Sequence, residues 1–217
     1  MRNRFDAQLE ELQESMVEMG NACIQALADT KDGLLNGNHK KAREVLTASM
    51  AIRRMERNIE GLCLKLLLQQ QPVASDLRVI SSALKSVYDL ERIGDVTGDI
   101  ANLILKENVS IASDILNLSA MAEQTGVMVR QAVKALTTQN QELAEQTVAM
   151  DDSVDACFKH AKKTLALRFT GNDTGMEYAL NLLMVAKYFE KIGDHAVNIA
   201  NWASFSATGI LLSLIHI

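Results

Sequence analysis

Apolar positions recur at spacings of three and four along nearly the whole chain, and no stretch shows the strict alternation of a strand. Phe5, Leu9, Leu12, Met16, Met19, Cys23, Ala26 and Thr30 trace one face of a helix predicted over residues 3–35. Gly33, Asn36, Gly37 and Asn38 end it, and Asn38 is placed to cap a second helix over 39–70. Ala42, Val45, Leu46, Ser49, Ile52, Met55, Ile59, Cys63 and Leu66 form the buried stripe of that second helix. Pro72, the only proline, marks the next turn, and Ser75 or Asp76 is expected to cap a third helix running to about Lys106.

After a short polar break at 107–110 the pattern returns. Ile115, Leu118, Ala122, Thr125, Val129, Ala132 and Leu136 mark a fourth helix. Asn140 opens a fifth, with Leu143, Thr147, Met150, Val154, Cys157, Ala161 and Leu165 facing inward. Gly171, Asn172 and Asp173 form the next break, and a sixth helix continues to about Ala207. Three helices, a break and three more helices with short connections predict an all-α chain of two tandem antiparallel three-helix bundles. The bundles are expected at residues 1–107 and 111–209. Residues 210–217 form a tail, and 211–217 (LLSLIHI) have no counterpart in the first half and are open to being a non-native end.

The two halves are a repeat. Residues 90–102 (LERIGDVTGDIAN) return 99 residues later as 189–201 (FEKIGDHAVNIAN), with seven of 13 positions identical. The shared residues are Glu91/Glu190, Ile93/Ile192, Gly94/Gly193, Asp95/Asp194, Ile100/Ile199, Ala101/Ala200 and Asn102/Asn201. The best-kept part carries Glu-x-x-x-Asp. At ~100° per residue, Glu91 and Asp95 continue the apolar line of Leu77, Ile80, Leu84 and Val87. Glu190 and Asp194 continue that of Met176, Ala179, Leu183 and Ala186 in the same way.

Such acids are most simply a solvated helix end. Three features argue for more: the pair is duplicated, it follows an apolar line, and a glycine sits inside each copy. Glycine in a helix costs about 1 kcal/mol relative to alanine, so two at equivalent positions point to close approach of a helix or ligand. Carboxylates one turn apart repel, and a hard cation such as magnesium, manganese or iron resolves that repulsion. His195 follows Asp194 but has Val96 as its counterpart, so it is read as a packed or surface residue and not a ligand. Arg53, Arg54 and Arg57 with Glu56 and Glu60 read as a solvated face.

Composition narrows the function. The 217 residues are 48% hydrophobic with a net charge of −5, which leaves no footprint for nucleic acid. Cys23, Cys63 and Cys157 are odd in number and lack Cys-x-x-Cys, which fits buried thiols in a reducing cytoplasm. The opening MRNRFDAQLE lacks the apolar core of a signal peptide. No Asp, Glu, Lys or Arg follows Asp194, a stretch long enough to span a bilayer. Asn198, Asn201, Ser204, Ser206 and Thr208 within it favour a buried closing helix instead. No P-loop, G-x-S-x-G or H-E-x-x-H motif occurs.

These residues resemble the PhoU family, regulators of phosphate uptake and phosphate signalling in bacteria. The resemblance spans about residues 1–209. It rests on residues 71–78 (QPVASDLR), 89–95 (DLERIGD), 190–201 (EKIGDHAVNIAN) and 201–209 (NWASFSATG). It implies two three-helix bundles with metal on the acidic motif. Here that means Glu91, Asp95 and Asp99 in the first half and Glu190 and Asp194 in the second. The family often places an aspartate on the second helix of each repeat facing the motif. Asp155 fits that position, with Asp152 nearby, whereas the first half has Arg53 there, so the first site is expected to hold metal less well. The ion would be divalent or trivalent, with magnesium, manganese, iron and zinc all open. The resemblance further implies a homodimeric cytoplasmic adaptor, not an enzyme, that reaches the membrane only through its partners. Those partners would be the ATPase of the phosphate ABC transporter and the phosphate-sensing histidine kinase, and the output repression when phosphate is ample. Two other readings stay open at this point: a di-metal carboxylate enzyme and a metal-free scaffold. The first normally needs Glu-x-x-His pairs, and Gly94 and Gly193 stand where those histidines would be.

Overall fold

The computed structural model describes residues 2–69, 72–111, 114, 116–168 and 173–210. Seven helices and no strand occur among them: α1 (Arg2–Asn36), α2 (His39–Gln69), α3 (Ala74–Lys106), α4 (Leu118–Thr138), α5 (Gln141–Ala149), α6 (Asp151–Arg168) and α7 (Asp173–Thr208). α1–α3 make one three-helix bundle. α4, the α5–α6 pair and α7 make the second. Gln71, Ile115, Gly171 and Asn172, on which expectations rested, lie outside the described residues, as does the tail 211–217.

The expected punctuation largely operates as chemistry requires. Gly37 takes φ +62°, a left-handed value that glycine adopts at little cost, and Asn38 N–H bonds back to Gly33 O at 3.1 Å. The Asn38 side chain then accepts from Lys41 N at 3.3 Å, and Asn140 accepts from Leu143 N at 3.0 Å. At α3 the cap is Val73, not Ser75, and Asp76 reaches back to accept from Val73 N at 3.3 Å.

Two expectations need correction. The predicted fifth helix is divided at Met150. There Met150 N bonds to Thr147 O and Ser153 N to Met150 O, so three-residue spacing replaces the four-residue ladder. The restart puts Asp151 and Asp152 in a first helical turn, where the macrodipole favours acids. The connection after α3 is also no polar spacer. Val109, Ile111 and Leu116 are buried, and Ile111 N donates to Leu34 O at 3.0 Å. α4 starts at Leu118 because the Asp114 carboxylate accepts from Leu118 N at 2.7 Å and Ser119 N at 3.0 Å.

Buried apolar residues from both bundles form one continuous core that includes Met16, Ile52, Leu90, Met128 and Phe189. Equivalent helices meet antiparallel across the middle. On α1 and α4, Lys31 bonds Glu123 while Gly20 faces Val133. Between α3 and α7, Arg78 lies against Gly209 just past the end of α7, and Asp89 against His195 and Asn198. The repeats are therefore related by an approximate two-fold axis. Cys23 and Cys63 are buried in this core and their thiols are pushed up to about 12 by burial, which makes them inert. Among the described residues no helix is long and apolar enough to cross a membrane.

Two glycines test the packing. A Cβ on Gly126 of α4 would meet nothing within 4 Å, whereas one on Gly94 of α3 would lie 2.8 Å from Ile52 Cγ2. Gly126→Ala should raise stability by about 1 kcal/mol through helix propensity. Gly94→Ala should lower it, because an overpacking cost of about 1–3 kcal/mol exceeds that gain. Thermal and urea unfolding of the two variants side by side checks the contrast.

Candidate functional site

Glycine sets the register of the site. The bare face of Gly94 rests on Ile52 of α2, and that of Gly193 rests on Asp151 of α6, whose Oδ1 would be 3.0 Å from an added Cβ. Both pairs keep the 99-residue offset, so Ile52 corresponds to Asp151, Arg53 to Asp152 and Glu56 to Asp155. Pairing Asp155 with Arg53 in the sequence was thus one helical turn out of register. The first half does carry an acid at the Asp155 position, namely Glu56. Its carboxyl is raised by burial first, then by Glu60 and Glu91.

In the first half the motif acids are compensated by arginine. Arg53 Nε donates to Asp95 Oδ1 at 2.8 Å and lies 4.0 Å from Glu91 Oε1. Arg92 adds contacts of 3.5 Å to Asp95 and 4.0 Å to Glu91, and its guanidinium sits 4.8 Å above the Tyr88 ring. Arg53 therefore does not belong to a free solvated face. Asp99 lies one turn on, and its carboxyl is raised by burial and by Asp95, with Arg53 opposing.

In the second half, among the described residues, only lysines of α7 itself serve the motif acids. Lys187 Nζ bonds both oxygens of Glu190 at 2.5 Å, and Lys191 Nζ bonds Asp194 Oδ2 at 2.6 Å. Asp155 pairs with Lys159 at 3.2 Å. Among the described residues no guanidinium crosses from α6. Asp151 comes instead, as a further acid. Its Oδ1 is buried without a hydrogen-bond partner. Its carboxyl is pushed up to about 6, by burial first and then by Asp194, Asp155, Glu190 and Asp152. Asp194 is 41% exposed against 17% for Asp95, whereas Glu190 at 12% is somewhat more buried than Glu91 at 20%.

His195 is no part of this cluster. Its Nδ1 lies 2.8 Å from Oδ1 of Asp89 on α3, which also accepts from Asn198 at 3.2 Å. Sequence reading missed Asp151, although the 99-residue offset carried back onto the second helix would have found it. As they stand, no three His, Cys, Asp or Glu side chains among the described residues converge as a ligand set. The donor chemistry of the second half nevertheless suits a hard cation. It offers carboxylates from two helices, one buried oxygen lacks a partner, and the neutralising groups are flexible lysines that can swing away. The first half suits one less well, because Arg53 already fills that role.

Comparison with known proteins accords with the fold. The family model described as the PhoU domain matches the chain twice, at residues 16–104 and 118–203. The phosphate-specific transport system accessory protein PhoU homolog of Pseudomonas aeruginosa is 31% identical over 208 residues, covering 95% of this chain and 86% of its own. The protein of the same name from Clostridium acetobutylicum is 30% identical and covers 96% of each chain. The crystal structure of PhoU from Pseudomonas aeruginosa superposes with a TM-score of 0.89 at 31% identity, over 95% of this chain and all of that one. That of the phosphate transport system regulatory protein PhoU from Streptococcus pneumoniae gives 0.84 at 26% identity, over 96% and 99%.

Asp151 yields a stability prediction for chelator-treated protein. Folded, it keeps its proton up to about 6, whereas an unfolded aspartate loses it near 3.8. Between those values the folded chain binds more protons, so stability from this group is complete at the lower pH and lost as pH rises through about 6. Asp151→Asn cannot lose it. The variant should melt close to the parent at pH 4 and a few degrees above it at pH 7, the order of about 1 kcal/mol after solvent screening. Melting curves across that range check the divergence.

Proposed function

The chain belongs to the PhoU domain family, and on that premise we propose that it is an accessory protein of phosphate-specific transport that restrains phosphate uptake and the phosphate-starvation response. The observation that carries the reading is the doubled PhoU repeat, matched nearly end to end by relatives that bear accessory and regulatory names, not those of enzymes. In the proposed setting the protein is a cytoplasmic adaptor, working as a homodimer between the transporter's ATPase and a phosphate-sensing histidine kinase. Two rigid bundles sharing one core suit that task, since a surface on one bundle is held in fixed relation to a surface on the other.

We further propose that the second half holds a magnesium, manganese, iron or zinc ion through Glu190, Asp194 and Asp155, with Asp151 joining them. Asp99 belongs with Glu91 and Asp95 to a weaker first site. A bound cation would supply charge neutralisation between α6 and α7. The chain's own residues set the difference between halves: Arg53 pins Asp95 from the opposite helix, whereas Lys187 and Lys191 only lean on acids of their own helix.

Deleting the gene should raise phosphatase expression in high phosphate, and unchanged repression overturns the regulatory reading. Pull-down against the ATPase and the kinase tests the adaptor role. For the metal, Glu190→Ala with Asp194→Ala should remove most of the ion measured by mass spectrometry on chelator-free protein. Glu91→Ala with Asp95→Ala should remove less, and Arg53→Asp should add to the content. Equal losses without that gain would mean that the halves bind alike.

A further inference from the structure

A cavity of about 570 Å³ opens between α2, α3 and α7, on the seam where the two bundles meet. α2 lines it with Glu56 and Glu60, α3 with Lys85, Tyr88 and Asp89, and α7 with Trp202. That volume suits a small ligand or one long side chain. Three carboxylates face one ammonium, so the cavity is net negative. Two of the three acids are also uncompensated, and the third, Asp89, is tied to His195. Glu56 and Glu60 have no ion-pair partner among the described residues, although Glu91, Asp95, Glu190 and Asp194 each have a lysine or arginine within 4.0 Å. Asp89 is only 7% exposed. Its Oδ1 takes both His195 and Asn198, and no donor among the described residues reaches Oδ2.

We propose that this cavity is a binding site for an organic cation, a guanidinium or alkylammonium group carried on an apolar stem. A bare metal ion fits poorly, since the carboxylates come from separate helices around a wide space and do not converge. The walls fit an organic cation well. Leu84 and Val87 supply apolar surface, and Tyr88 and Trp202 supply aromatic faces that attract cations. The chain already demonstrates the affinity of one of these rings, because its own Arg92 guanidinium lies 4.8 Å over Tyr88.

The cavity is also no product of the duplication. The counterparts of Glu60, Tyr88 and Asp89 in the second half are Lys159, Lys187 and Tyr188. The acidic, aromatic lining has therefore been built on one side only. This site is separate from the proposed metal site of the second half and stands or falls without it.

Trp202 is the chain's only tryptophan, so its emission reports directly on the cavity. The test titrates the full chain with argininamide and with its neutral isostere citrullinamide. Argininamide should shift Trp202 emission saturably, citrullinamide should not, and added salt should weaken the response. Glu60→Gln should weaken the argininamide response about tenfold. Asp89→Asn should weaken it at least as much. Because Asp89 also ties α3 to α7, Glu60→Gln on the exposed rim carries the test if Asp89→Asn misfolds. A short glycine–serine peptide with a single arginine separates two sources of the same group. Tighter binding than argininamide assigns the site to a side chain of a partner protein, and binding no tighter assigns it to a free cation. No saturable shift with either probe up to about 50 mM, or equal responses from citrullinamide or Glu60→Gln, overturns the proposal.

Discussion

The close approach of each motif helix to the helix before it is the constraint on which the site depends. Gly94 lets α3 rest on Ile52, and Gly193 lets α7 rest on Asp151. A methyl group at either place would come within about 3 Å of its neighbour, Ile52 Cγ2 in one half and Asp151 Oδ1 in the other, closer than ordinary van der Waals contact. Each glycine costs about 1 kcal/mol of helix propensity, and the return is geometric. With the helices drawn together, the carboxylates three residues before and one residue after the glycine stand beside whatever the neighbouring helix presents. The glycines fix the distance, and the second helix of each repeat decides what the acids meet.

What they meet differs sharply. In the first half α2 presents Ile52 at the contact and Arg53 beside it, so the acids face an apolar wall and a guanidinium with a fixed planar fork. In the second half α6 presents Asp151 at the contact, which adds charge where charge is already in excess. The fold tolerates this because Asp151 holds its proton up to about 6 and because Lys187 and Lys191 lie one turn from the acids they serve. An arginine reaching across from another helix is held by that helix's packing. A lysine reaching along its own helix is held only by its own torsions, so the second set gives way more readily to an incoming cation.

The sequence reveals what depends on local spacing. Helix positions, the Asn38 and Asn140 caps, the Gly37 turn and the doubling of the fold all follow from period, cap chemistry and repetition. The break at Met150 was invisible because its apolar stripe runs through it unchanged; one residue of tighter winding does not alter a three-and-four pattern. The connector before α4 was misread because its flanking polar residues masked Val109, Ile111 and Leu116, and the N–H of Ile111 is held by a distant carbonyl, that of Leu34. Asp151 was passed over because Asp155 already matched a known family position, although the repeat offset pairs Asp151 with Ile52 of the buried stripe. The Asp89–His195 pair joins residues 106 apart, and nothing in the spacing of either helix announces it.

That pair also shows what duplication within a single chain permits. Equivalent helices meet antiparallel across an approximate two-fold axis, so the same physical seam is written twice, once from each end. Two separate copies of one repeat would place identical residues at both ends, copies of the first half giving two Asp–Val contacts and copies of the second two Tyr–His contacts. A single chain is free of that restriction. Asp89 and His195 make a polar tie at one end, while at the other Tyr188 and Val96 stand in their places, with the Tyr188 hydroxyl raised by burial and by nearby Asp99. The acidic cavity under Trp202 lies at the end bearing Asp89. The guanidinium-filled motif and the lysine-served motif likewise occupy different halves of one scaffold. The fold's symmetry supplies the frame and the doubled acidic motif, and the chemical differences between the halves arise where the sequence departs from it.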